Sequence, residues 1–143
     1  MENVVVPINM LLVFLAAVSS MVIGWLWYGP VFGKPWMKMM GFTQASMDEA
    51  KKKGMGKAYG LMFVGSLVMA YTLAHSLVFA STYMHVMGYP AGLMSGFWSW
   101  FGFVAPVTMG GVLWEGKSWK LWALNNGYYL VTLLAMGCIL SGK

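Results

Sequence analysis

Charge is the first thing this sequence lacks. Thirteen of its 143 residues are Asp, Glu, Lys or Arg, 9% of the chain, where soluble domains carry roughly 25%. A water-facing surface cannot be assembled from so few charges, so an ordinary soluble domain is excluded. Cysteine is nearly absent as well. Cys138 stands alone, which rules out an internal disulfide and leaves the redox compartment unread. Catalytic groupings are missing too: there is no nucleophile elbow, no zincin helix and no spaced pair of carboxylates. His75 and His85 are ten residues apart and do not share a helical face at about 100° per residue. The expectation is a protein that is not an enzyme and that holds no metal or cofactor.

Apolar residues are abundant instead, at 59% of the chain, with a mean hydropathy of +0.67. Three stretches carry no charge at all: Asn3 to Gly33, Ala58 to Trp114, and Leu121 to Gly142. A helical crossing of the bilayer needs about 20 apolar residues. The outer stretches hold one crossing each. The middle one holds two, separated at Met87-Gly88-Tyr89-Pro90-Ala91-Gly92, where Gly and Pro interrupt the helix. The sequence therefore predicts an all-α integral membrane protein, one domain, with spans at about 8–29, 58–84, 91–113 and 121–141. The first stretch follows Glu2 rather than a positive segment and is long, so it reads as a span and not as a cleaved signal peptide.

Lys residues set the expected orientation, because loops rich in them stay cytoplasmic. Lys34, Lys38, Lys51, Lys52, Lys53 and Lys57 lie between the first two spans, and Lys117 and Lys120 between the last two. The loop between spans two and three has none, and only Lys143 opposes the pattern. Both termini are expected outside the cell membrane. Trp25, Trp27, Trp36, Trp114, Trp119 and Trp122 fall near the Lys-bearing loops, where indoles favour the headgroup level.

The first loop is expected to hold a short amphipathic or polar helix over about 47–53. Ser46 serves as its N-cap, Glu49 closes a capping box, and Asp48–Lys52 and Glu49–Lys53 form i, i+4 pairs. Its Lys residues would meet anionic lipid headgroups; nucleic acid is not an expected partner. Small residues recur on span one (Ala16, Ser20, Gly24) and on span three (Gly92, Ser95, Ser99, Gly102, Pro106, Gly110). Such faces let helices approach closely in lipid, within one chain or in a homo-oligomer. Pro106 should bend span three by freeing the carbonyl of Gly102. Trp25-Leu26-Trp27-Tyr28-Gly29 is similar to Trp98-Ser99-Trp100-Phe101-Gly102, and Gly33-Lys34-Pro35-Trp36 to Gly116-Lys117-Ser118-Trp119. The two matches need different offsets, so no repeat is read.

Residues 111–118 fit the pattern G-x-x-x-x-G-K-[ST]. That pattern binds phosphate only between a strand and a helix; here an apolar stretch precedes it, and a tight turn is expected. His75 lies deep in span two with Thr72, Ser76 and Thr82 on its face, and Asn125, Asn126 and Tyr129 open span four. Together they are the candidate intramembrane polar path. Hydrogen bonding between helices is the simpler use of the same residues.

Gly24-Trp25-Leu26-Trp27-Tyr28-Gly29-Pro30-Val31-Phe32-Gly33-Lys34-Pro35-Trp36-Met37 resembles the opening signature of the Domain of Unknown Function 1761 family. Gly102-Phe103-Val104-Ala105-Pro106, Glu115-Gly116-Lys117 and Asn126-Gly127-Tyr128 resemble its second signature. The resemblance spans nearly the whole chain. It implies a small prokaryotic four-helix membrane protein, carries over no catalytic residue, and points to the Trp-Tyr-Gly-Pro and Glu-Gly-Lys turns as the place of shared contact. Function is expected to be either an oligomeric channel or transporter for an ion or small solute, or a structural or accessory subunit.

Overall fold

The computed structural model describes residues 6–142; Glu2, which enters the reading of the first span, and Lys143, which enters the orientation, lie outside the described residues. Ten helical segments follow in chain order. The first long helix is α1, Met10–Leu26, continued by a π-turn over Trp27–Val31. Asn9 caps it, its Oδ1 accepting from the N–H groups of Leu11 and Leu12. Two short helices follow, α2 at Gly33–Met40 and α3 at Gln44–Lys53. The second long helix is α4, Gly56–Met84. The third is assembled from α5 at Gly88–Ser99, a π-turn at Trp100–Val104, α6 at Ala105–Thr108 and α7 at Gly110–Leu113. The fourth is α8, Trp119–Ser141, capped by Ser118. All four long helices are long and apolar enough to cross a membrane.

Only a minority of the most apolar 18-residue stretch of each long helix is buried, from 11% in the third to 33% in the fourth. Large side chains such as Leu11, Phe14, Val22, Leu61, Val68, Phe97, Phe103 and Val107 face outward. A monomeric soluble protein rarely exposes so many large apolar side chains, and composition and surface together are those of a membrane protein.

What is buried is mostly small. Val13, Ala16, Ala70, Leu73, Ala74, Leu133 and Met136 form the central cluster. The fourth long helix is the axis of the bundle, touching the first, second and third. Its tightest seam is with α5. A Cβ added at Gly92 would collide with the carbonyl of Gly137, one at Gly137 with the carbonyl of Gly92, and one at Gly96 would stand 2.5 Å from the Leu133 carbonyl oxygen. The two backbones therefore touch, as small residues allow.

Four sequence expectations change. The second interhelical turn is His85–Met87, with His85 in the left-handed region at φ 55°, earlier than the 87–92 segment. Gly88-Tyr89-Pro90 opens the next helix, because Pro is tolerated in a first turn where its missing N–H is not needed. Pro106 does not make a simple bend. A π-turn precedes it, and the Ala105 N–H reaches back to the Trp100 carbonyl, which sets Pro106 in the first turn of α6. The loop helix begins earlier than residue 47, with Thr43 as N-cap. Thr43 Oγ1 accepts from the Ser46 N–H at 3.1 Å, and Ser46 Oγ accepts from the Thr43 N–H at 3.0 Å. Ser46 is thus the returning partner and not the cap, since Thr43 has the extended backbone that a cap requires. Among the described residues the one ion pair is Glu115–Lys117, so the Asp48–Lys52 and Glu49–Lys53 pairs are not made; Asp48 takes the Gln44 amide instead.

Candidate functional site

At the end of the bundle that carries the Lys-bearing loops, the two π-turn helices meet the start of α8. Thr108 organises the contact. Asn126 Nδ2 donates to Thr108 Oγ1 at 2.9 Å, and Trp122 Nε1 donates to the same oxygen at 3.1 Å. A hydroxyl has two acceptor sites and one proton, so those donors fill it. Its proton goes to the Val104 carbonyl at 2.8 Å, the shortest of three acceptors within reach. The second Asn126 N–H goes to the Trp122 carbonyl. Asn126, 2% exposed, is therefore a structural amide that ties α6 to α8.

Asn125 faces the first helix. Tyr28 Oη donates to its Oδ1 at 2.9 Å. Trp27 Nε1 donates to the Leu124 carbonyl at 3.1 Å, and its ring lies on Gly127, where an added Cβ would stand 2.9 Å from it. Tyr28 packs edge-on against Trp36 and Tyr128. Gly33 completes the turn, because a Cβ there would sit 2.8 Å from the Tyr28 carbonyl oxygen. Gly29, Pro30, Lys34 and Gly116 are exposed and make no comparable contact.

A cavity of about 280 Å³ opens beside this network. Thr108, Trp122, Asn125, Asn126 and Tyr129 line its floor and Glu115 and Lys117 its rim. Lys117 Nζ and Glu115 Oε2 are 2.7 Å apart. Asn125 Nδ2 and Tyr129 Oη have no hydrogen-bond partner among the described residues.

The remaining candidates lie elsewhere. His75 is half-buried, its Nδ1 bound to the Tyr71 carbonyl at 2.9 Å and its ring against Tyr71. Thr72 and Ser76 are exposed, and Ser76 Oγ donates to the Thr72 carbonyl. None of the three lines the cavity with Asn125, Asn126 and Tyr129. Ala16 and Ser20 are buried within the chain; Ser20 Oγ meets Ser66 Oγ at 3.0 Å. Gly24 faces Tyr128. Ser95 is buried in the α5–α8 seam, while Gly102 and Pro106 are exposed and Ser99 is half-buried. Among the described residues no three His, Cys, Asp or Glu side chains cluster.

Thr108, Trp122 and Gly96 were not singled out as site or seam residues by sequence reasoning. Gly92-x-x-x-Gly96 is a small-xxx-small spacing that would have exposed the last of these. Nothing in spacing links Thr108 to Asn126.

The fold and site together define a class: a four-helix protein of membrane-crossing dimensions with a polar cavity at one end. The chain belongs to the family described as a protein of unknown function (DUF1761), which matches residues 11–141. No curated protein and no solved structure matches it.

Proposed function

We propose that the protein crosses the cell membrane four times, with both termini outside and both Lys-bearing loops cytoplasmic, and that it binds a small polar ligand in the Thr108–Asn125 cavity. One observation carries the binding reading: the Glu115–Lys117 turn and the Asn pair line one cavity, beside an Asn125 amide nitrogen and a Tyr129 hydroxyl that have no hydrogen-bond partner among the described residues. Both residues are half-buried and line the cavity, so their amide and hydroxyl are free to hydrogen-bond an occupant. Binding is favoured over catalysis because the lining offers amides, hydroxyls and one ion pair, without a nucleophile beside a base. In this reading α3 rests near the membrane surface, with Lys51, Lys52 and Lys53 toward anionic headgroups.

The test is a binding screen on the protein in nanodiscs, read by melting temperature against a panel of small solutes and lipids. Binding should be lost in Asn125→Leu and kept in His75→Phe. A panel that leaves wild type unmoved would sink the reading.

Transport by a homo-oligomer is the second reading, and it too has a specific support. A larger, more apolar cavity of about 1020 Å³ opens at the opposite end, lined by Asn9, Leu77, Thr82, Ala91 and Leu140. Between the two cavities along the third and fourth helices, Ser95 Oγ, Trp100 Nε1 and Thr132 Oγ1 are buried without partners. Proteoliposome flux, compared between wild type and Thr132→Val, tests it. Vesicles that behave as empty ones would favour an accessory subunit instead.

A further inference from the structure

Two opposite charges stand side by side on the rim of the Thr108–Asn125 cavity. Lys117 and Glu115 are paired at 2.7 Å, yet each side chain is more than half exposed, 54% and 60%. A lone anion entering here would take Lys117 and leave Glu115 uncompensated, and a lone cation would do the reverse. A ligand bearing both charges converts one ion pair into two, each charge-assisted. Below the rim, the Asn125 amide N–H and the Tyr129 hydroxyl supply donors suited to phosphate or ester oxygens.

The cavity also has an apolar flank. Val107, Val112 and Leu121 line it, and Val107 is 76% exposed on the outward face of the third helix. An amphiphile can leave its chains along that flank; a water-borne zwitterion gains nothing from it. Trp114 and Trp119 are exposed at the same end, and indoles of this kind mark the headgroup level. The volume, about 280 Å³, is near the lower edge of the roughly 300–1,000 Å³ common to small-molecule sites. It suits a headgroup and not a whole lipid. A carboxylate at the rim accepts hydrogen bonds from a primary ammonium, whereas a quaternary ammonium calls for a cage of aromatic faces, and here Trp122 directs its N–H edge to Thr108.

Resting on the ligand-binding reading above, we infer that the occupant is a zwitterionic glycerophospholipid headgroup with a primary amine, entering sideways from the leaflet on the Lys-bearing side. Its phosphate meets Lys117, Asn125 and Tyr129, and its ammonium meets Glu115.

The experiment titrates the full chain in mild detergent with short-chain phosphatidylethanolamine, phosphatidylcholine and phosphatidylglycerol, and with soluble phosphoethanolamine. Melting temperature and the mass of the intact complex are the readouts. Phosphatidylethanolamine should bind about tenfold tighter than each of the others, a difference of about 1.4 kcal/mol. Lys117→Gln should remove that preference. Tyr129→Phe, which deletes only a hydroxyl, should weaken phosphatidylethanolamine while leaving the ligand-free melting temperature in place. Equal or tighter binding of phosphatidylglycerol overturns the zwitterion, and equal binding of soluble phosphoethanolamine overturns the lipid. If other solutes bind and none of these lipids does, the inference fails and the binding reading survives; if nothing binds, both fail.

Discussion

At Gly127 a missing side chain lets Cζ2 and Cη2 of the Trp27 ring come against the last helix while its N–H reaches the Leu124 carbonyl. Gly127→Ala should push the indole away and lower stability by about 1–3 kcal/mol, the usual cost of overpacking. Trp27→Leu should also destabilise, but the two together should cost less than their sum, since the smaller side chain removes the clash. Melting curves in mild detergent measure all three. Thr108 makes a second case. Thr108→Val strands the Asn126 and Trp122 donors and should cost about 1–3 kcal/mol, whereas Thr108→Ser should keep most of the stability. The two sites differ in how far the sequence discloses them. Asn125 and Asn126 stand out because amides are scarce in an apolar stretch and must find partners there, and Tyr129 shares the face of Asn125 one turn on. Thr108 does not, because a helical Thr ordinarily bonds the carbonyl four residues back. That bond is present here too, at Val104, and only the fold adds the two donors from the next helix.

The third long helix presents small residues in two directions, and its elements separate the uses that one stripe in the sequence suggests. Gly92 and Gly96 press on Gly137 and Leu133, while Gly102 meets nothing within 4 Å. Gly92→Ala and Gly137→Ala should each lower the melting temperature of the single chain. Gly102→Leu should leave that temperature unchanged, and if copies associate through this face it should shift the detergent-solubilised protein toward monomer in light scattering. Periodicity finds such a stripe but not its azimuth, because the π-turn at Trp100–Val104 rotates everything after it relative to α5. The other π-turn, Trp27–Val31, begins with the same Trp-aromatic-Gly order. Trp27-Tyr28-Gly29 and Trp100-Phe101-Gly102 hold equivalent places in two irregular helices that each contain a proline nearby, Pro30 and Pro106. That likeness is legible in the sequence as a short match; its structural meaning, a shared irregularity, is not, because π-turns have no composition of their own.

For the whole molecule, four long helices are readable from three charge-free stretches, since thirteen charges confined to a few segments leave little choice of where a chain can cross. The antiparallel order then brings α2, α3, the Glu115–Lys117 turn and the Thr108–Asn125 cavity to one end. Eight Lys lie at that end, and retention of Lys-rich loops predicts that it faces the cytoplasm. The opposite end exposes Tyr83, Met87 and Tyr89 without a charge between them, which favours translocation of that turn. Orientation decides which leaflet supplies a lipid to the cavity, so it bears on the binding proposal as well as on topology. In a Cys138→Ser background, single cysteines at Lys52 and at Tyr89 can be probed with an impermeant thiol reagent on intact cells. Both positions are exposed, so accessibility to the reagent is set by the membrane and not by packing. Labelling is expected at position 89 and protection at position 52, with both labelled once the cells are opened. The reverse pattern on intact cells would place the Lys-bearing end and its cavity outside.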